Sequence, residues 1–264
     1  MKKLLNFFGV IALVAGFATS CKEEENKDDE NDHQKKLVKV VDNIFTYEFN
    51  YDNDGRCVSL YSYINEKEEL YYKGIHKYDG NTIRIESYYT KNAKDPNITT
   101  VTLNSKGYLE SREFLSGKFK YEYDDQGHLI AEYHHNTDGS VDTIKYEWEN
   151  GNLVKKYDDM YVFFYKYTNS NYSSPIENKS RFHFFDPYSS FDGFYDFLLG
   201  EPCKNILVSL YETVVSNGSG GSVEWDDLDA EEELPYQWVL DKDGYPVKMQ
   251  YENGSVQRRE LYWE

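Results

Sequence analysis

The chain has 264 residues, of which 29 are Lys or Arg and 47 are Asp or Glu, giving a formal net charge of −18. A surface this acidic repels phosphate backbones and anionic headgroups alike, which excludes nucleic acid as a partner and any membrane residence driven by charge. Only 39% of the residues are apolar, but 26 Tyr and 15 Phe carry large areas to bury, so aromatic side chains must make much of the core.

Lys2 and Lys3 precede an apolar run from Leu4 to Phe17 broken only by Asn6, and the small residues Ala18, Thr19 and Ser20 follow. This order of charge, apolar stretch and small residues predicts a secretory signal over residues 1–20. The run is shorter than the ~20 residues of a membrane-spanning helix, and no later segment approaches that length without charges. Ala18-Thr19-Ser20-Cys21 resembles the lipobox of bacterial lipoproteins, which implies lipid on Cys21, where each buried acyl methylene would contribute ~0.8 kcal/mol of anchoring. Residues 22–36 contain no apolar side chain and are rich in Glu and Asp, so residues 21–36 read as the lipidated cysteine and a solvated tether with a typical reach of ~20 Å.

Residues 37–264 read as a single repetitive β domain. Four segments share alternating aromatic residues, a polar turn, a glycine, any residue and then an apolar one: Tyr47 to Cys57, Phe119 to Leu129, Ile144 to Leu153 and Tyr236 to Pro246. Asn104 to Leu109 is a fifth turn of this kind, and Asn253 to Val256 a shorter sixth. Asn-Gly and Asp-Gly between alternating runs signal tight antiparallel hairpins. Alternation puts Phe119, Tyr121 and Tyr123 on one face and Lys120, Glu122 and Asp124 on the other. Glycines 55, 80, 107, 127 and 151 recur at about one hairpin each, the mark of a stacked supersecondary repeat. Roughly fourteen to sixteen strands in meander order are expected. A sheet that long curls, so the predicted fold is all-β, a curved or barrel-like antiparallel sheet with its charged face toward water.

The Tyr-x-Tyr-Asp-x-x-Gly-x-Leu pattern resembles the YD repeats of Rhs-type proteins. Residues 22–264 as a whole resemble an uncharacterised family of Bacteroidetes lipoproteins, a domain of unknown function with a porin-like fold. The matching features are Ala18-Thr19-Ser20-Cys21, the acidic tether, the YD-like hairpins, the segment Leu198 to Leu207, and the last hairpins around Gly244 and Gly254. Lys22-Glu23-Glu24-Glu25 resembles the acidic signal that sends such lipoproteins to the outer face of the outer membrane. The resemblance implies an outer-membrane lipoprotein exposed on the cell surface. It transfers a fold and no active site.

Two regions interrupt the repeat. Residues 182–199 are densely aromatic, and Phe191, Phe194, Tyr195 and Leu198 recur at helical spacing, which predicts one short helix near 190–199 that plugs an end of the sheet or offers a ligand platform through Tyr188 and Tyr195. From Ser216 to Glu233 a Gly/Ser stretch leads into acidic residues around Trp225, a side chain able to stack on a sugar ring.

Other chemistry is sparse. Asn50 to Gly55 imitates the start of a calcium loop, but Tyr61 occupies the position that needs a bidentate glutamate, so it reads as a hairpin turn. His134 and His135 are adjacent on a strand and face opposite sides, without zinc-ligand spacing. No nucleophile elbow or phosphate loop is present. Cys57 and Cys203 remain after Cys21; exported chains permit a disulfide, yet Cys57 takes a repeat position filled elsewhere by leucine, which favours a small buried hydrophobe. Asp142-Thr143-Ile144 resembles a Bacteroidetes O-glycosylation signal at Thr143. No cofactor is implied. The expected function is a non-catalytic surface module, held to the membrane by its lipid, that binds a glycan or peptide. A structural or assembly component acting through protein contacts is the alternative, and a hydrolase a more distant third.

Overall fold

The computed structural model describes residues 35–90, 92–180, 182–183, 193–214, 233–253 and 255–264. Its strands begin with β1 (Leu37–Asp42), β2 (Phe45–Tyr51), β3 (Cys57–Ile64), β4 (Glu69–Asp79), β5 (Thr82–Tyr89) and β6 (Asn97–Leu103). They continue with β7 (Leu109–Phe114), β8 (Gly117–Tyr123), β9 (Leu129–Asn136), β10 (Val141–Glu149), β11 (Asn152–Tyr157) and β12 (Tyr161–Lys166). After α1 (Gly193–Asp196) come β13 (Ser209–Val214), β14 (Glu233–Pro235), β15 (Gln237–Leu240), β16 (Pro246–Asn253) and β17 (Ser255–Trp263).

The predicted turns are built from one local device. Asp52 Oδ1 accepts from the amides of Asp54 and Arg56, Asn104 Oδ1 from Lys106 and Tyr108, and Asp241 Oδ1 from Asp243 and Tyr245, all at 2.9–3.0 Å. The short polar side chain thereby reverses the chain, and a glycine three residues on takes the positive φ that closes the turn, as at Gly55 (φ +80) and Gly127 (φ +98). Each such hairpin carries a register shift beside its turn, at Asn50/Tyr51, Thr102/Leu103, Glu122/Tyr123 and Val239/Leu240. These bulges add the twist that lets a long sheet curl.

All seventeen strands belong to one antiparallel sheet. Each strand from β1 to β14 pairs with its sequence neighbour, as do β15, β16 and β17, and β17 returns to pair with β1, Val40 opposite Leu261. The remaining gap lies in one extended stretch, where β14 pairs with β13, β15 pairs with β16, and the Tyr236 amide between them donates to the Val208 carbonyl at 2.9 Å. The sheet is thus a nearly closed barrel. The expectation of fourteen to sixteen strands falls short because β14 and β15 are two strands made from one run with no turn residue between them.

The inner face holds the main core, including the post-turn residues Cys57, Leu109, Leu129 and Leu153. The outer face is largely polar, apart from a patch on β12 and β13, with ion pairs such as Lys77–Glu86 at 2.6 Å and Lys118–Glu113 at 3.7 Å. Val162, Phe164 and Tyr211 form a second, smaller cluster.

The barrel has two unlike ends. The turns at Gly55, Gly107, Gly127 and Gly244 and both chain ends of this domain lie at one, where the Lys36 amide donates to the Glu264 carbonyl and Lys35 Nζ pairs with Asp241 and Asp243, each at 2.6 Å. The connection from β12 to β13 seals this turn end from within. Its Glu201 and Lys204 amides donate to the carbonyls of Gly127 and Gly151, and its Leu198 carbonyl accepts from Leu109. Gly200 (φ +90) is required there, since a Cβ would meet the Gly127 carbonyl oxygen at 2.3 Å. The expected short helix is α1, a single turn inside the barrel. Its Phe194 is buried with its ring centroid 3.7 Å from that of His76.

Neither remaining cysteine is in a disulfide. Both thiols are buried, and burial pushes Cys57 up to about 12 and Cys203 up to about 11. Cys203 Sγ lies 3.2 Å from Tyr167 Oη, whose proton goes to the Leu153 carbonyl.

Candidate functional site

Above α1 the inner wall changes character. Along most of the barrel the inward positions are Leu, Ile, Val, Phe or Tyr, but on β3, β4 and β5 small residues come into register. Leu60 lies opposite Gly74, Gly74 opposite Ser87, and Ser87 opposite Asn97 on β6. One step toward the open end, Ser62 lies between Tyr47 of β2 and Tyr72 of β4. A core would place branched or aromatic side chains at these positions; here they leave a hollow.

The missing Cβ of Gly74 has a specific use. Any Cβ would sit 2.7 Å from the Tyr72 hydroxyl. Glycine therefore lets the Tyr72 ring lie along the wall, with its hydroxyl 3.1 Å from Ser87 Oγ, and keeps it out of the lumen. The resulting cavity measures about 560 Å³. Phe194 and Tyr195 of α1 form its floor, and Tyr71, Tyr89 and Leu115 stand at its mouth. Leu115 is 90% exposed, and Ile44 and Met160 are exposed at the same end of the barrel.

The lining is neutral apart from one guanidinium. His76 Nδ1 lies 3.0 Å from the Cys57 carbonyl oxygen, and burial pulls the ring's pKa down to about 4 against that bond, so the imidazole is uncharged at neutral pH and Nδ1 is the donor. Arg112 lies between aromatic faces, 4.3 Å from the Phe119 ring centre and 4.5 Å from that of Tyr195. Among the described residues no carboxylate lines the cavity. Ser62 is 3% exposed, and its hydroxyl has no hydrogen-bond partner.

This arrangement offers aromatic faces and neutral hydrogen-bonding groups in a space closed below and open above. Ser62 and His76 are not paired as nucleophile and base. Ser62 is opposite Tyr72, four residues from His76, a separation of ~13 Å along the strand.

Of the residues singled out from sequence, Tyr195 lies in the cavity floor. Tyr188, Trp225 and Cys21 fall outside the described residues. Thr143 is half-buried within β10, opposite Tyr133 of β9, and takes no part in the cavity. Ser62, Gly74, His76 and Ser87 were not anticipated. Their signal was the run of small or polar residues interrupting the Tyr/Ile alternation of three consecutive strands.

In fold the chain is similar to the crystal structure of a porin-like protein from Bacteroides uniformis, with a TM-score of 0.61 over 87% of this chain and 95% of that one at 18% identity. A porin-like protein from Bacteroides vulgatus matches over 86% of this chain and 98% of that one, at 15% identity and a TM-score of 0.36. The Tc holotoxin pore of Photorhabdus luminescens matches over 83% of this chain and 11% of that one, at 13% identity and a TM-score of 0.33. No family model matches the chain, and no curated protein does. The first likeness shows a shared barrel fold.

Proposed function

We propose that the chain is a lipid-anchored protein of the bacterial cell surface that captures a saccharide in the mouth of its barrel and leaves it chemically unchanged. The observation that carries this reading is the cavity, whose hollow depends on Gly74, Ser62 and Ser87 in register beneath an aromatic rim. Tyrosine faces suit the C–H faces of sugar rings, and hydroxyl and amide groups suit their oxygens. The volume lies within the ~300–1,000 Å³ of small-ligand sites.

The address rests on Cys21 and the acidic residues after it. The polar outer face supports a domain that stands beside a membrane, since a spanning barrel needs an apolar outer band. The described chain enters the barrel at the sealed turn end, through Lys35 and Lys36, opposite the mouth. The fold shared with the Bacteroides uniformis protein supports kinship with the porin-like lipoproteins that the hairpins resemble.

The exposed apolar side chains Ile44, Leu115 and Met160 favour a second reading, a component that docks another protein at the mouth. The described part of the aromatic segment argues less for it, because Phe182 and Phe194 are buried and Phe197, 37% exposed, stands edge-on to Phe49 and Phe182.

The binding test is calorimetry of the chain from residue 21 onward, carrying Cys21→Ser, against neutral oligosaccharides. Binding with native stability is expected, and no heat from any saccharide would count against the reading. The address is tested by palmitate labelling of the wild type and of Cys21→Ala, with protease treatment of intact cells. Loss of label in the variant and digestion of the wild-type protein are expected.

A further inference from the structure

The cavity is a blind well, and its shape constrains how a saccharide could occupy it. Phe194 and Tyr195 close it from below. That floor is fixed in place: the Leu198 amide donates to the Tyr195 carbonyl, the Leu198 carbonyl accepts from Leu109, and Phe194 packs on His76. Beneath it the barrel is sealed again by the bonds from Glu201 to Gly127 and from Lys204 to Gly151. Among the described residues a chain threaded through the barrel finds no exit, so a saccharide longer than the well must leave through its mouth.

One polar group in the well is left unsatisfied. The Ser62 side chain is 97% buried, between Tyr47 and Tyr72, with no acceptor or donor for its hydroxyl. Buried hydroxyls are paired in nearly all folded proteins, so an unpaired one beside a cavity points to a partner that the fold itself does not supply, such as water or a ligand group. Among the described residues no carboxylate faces the well and the His76 ring is uncharged, and the one charged group of the lining, the Arg112 guanidinium, is held between the Phe119 and Tyr195 rings.

We propose that the well takes the terminal ring of a neutral saccharide chain, entering end-on from the mouth, with a hydroxyl of that ring bonded to Ser62 Oγ and the rest of the chain leaving over Tyr71, Tyr89 and Leu115. The proposal rests on the saccharide reading above and adds that the protein recognises chain ends and not chain interiors. A neutral ring with equatorial hydroxyls satisfies Ser62 while its C–H faces lie against Tyr47 and Tyr72.

The experiment uses the chain from residue 21 onward with Cys21→Ser, titrated with linear gluco-, manno- and xylo-oligosaccharides of increasing length. The same chains capped at both ends, and the cyclic glucan of seven units, complete the set. The expected result is an affinity that stops rising once the well is filled, is lost on capping and is absent for the cyclic glucan. Ser62→Ala should weaken binding roughly 5- to 10-fold without lowering the melting temperature, whereas a merely structural serine would lose stability together with affinity. Equal binding of open, capped and cyclic chains would overturn end recognition and leave the saccharide reading standing. Unchanged affinity in Ser62→Ala would overturn the role of that hydroxyl. If no saccharide binds, or only peptides with a free carboxylate do, the saccharide reading itself falls.

Discussion

Tyr123 Oη lies 2.8 Å from the carbonyl oxygen of Leu109 and donates to it, joining the last aromatic residue of one hairpin to the first apolar residue after the preceding turn. The same clasp recurs around the barrel. Tyr51 donates to Leu37, Tyr78 to Cys57 and Tyr167 to Leu153. Where tryptophan replaces tyrosine, Trp148 Nε1 donates to Leu129 and Trp263 Nε1 to Pro246. The carbonyls beside the bulges lose their ladder partners, and the aromatic side chains supply replacements. Tyr123→Phe leaves the buried Leu109 carbonyl unpaired, so it should cost about 1–3 kcal/mol and lower the melting temperature by about 2–10 °C. Differential scanning calorimetry measures both.

Gly200→Ala should be more damaging than its size suggests. The residue has φ +90, and a Cβ would press on the Gly127 carbonyl oxygen and the Tyr123 ring. Backbone strain and displacement of the sealing segment together should cost more than about 2 kcal/mol. Limited proteolysis should then cut between β12 and β13 at concentrations that spare the wild type.

Acid should weaken the fold through His76. Burial pulls its pKa down to about 4 from the ordinary 6.5 of histidine, opposed by its bond to Cys57. Above pH 6.5 the ring is neutral whether the chain is folded or unfolded, and it has no effect. As pH falls from 6.5 to 4 the unfolded chain binds a proton that the folded chain excludes, so up to about 3 kcal/mol of stability is lost. His76→Asn should remove this component, seen as a smaller shift in urea midpoint between pH 7 and pH 4.5.

Cys57 and Cys203 should resist thiol reagents in the native state, since both are buried and burial pushes both thiols to high pKa. Ellman's reagent should count them only once the chain is unfolded. Fast reaction of either in native buffer would contradict their placement.

Ser62→Ala should leave the unliganded protein as stable as the wild type or slightly more so. The hydroxyl makes no bond within the fold, and removing an unpaired buried polar group relieves a desolvation cost. A fall of more than about 1 kcal/mol on chemical denaturation would mean that Ser62 is structural.

The hairpins were legible in the sequence because their determinants are local. An Asx residue, a glycine three residues on and alternating aromatics specify turn, face and direction within about a dozen residues. Barrel closure was less legible, since the pairing of β1 with β17 joins residues such as Val40 and Leu261 that no local pattern links. The cavity was the least legible. Ser62, Gly74 and Ser87 are ordinary residues in their own strands, and only cross-strand register brings them together as a hollow. Tyr195 was legible because aromatic density marks the segment, whatever it packs against. Tyr188 and Trp225 remain expectations, as they lie outside the described residues.

The central claim is that the hollow around Gly74 binds a saccharide, and filling it tests that claim most directly. Gly74→Val adds bulk where a Cβ already meets the Tyr72 hydroxyl at 2.7 Å, and should swing that ring into the lumen. Calorimetric titration of wild type and variant with neutral oligosaccharides, on samples matched for circular dichroism, is the measurement. The account predicts binding to the wild type and none to Gly74→Val; equal binding by both would contradict it.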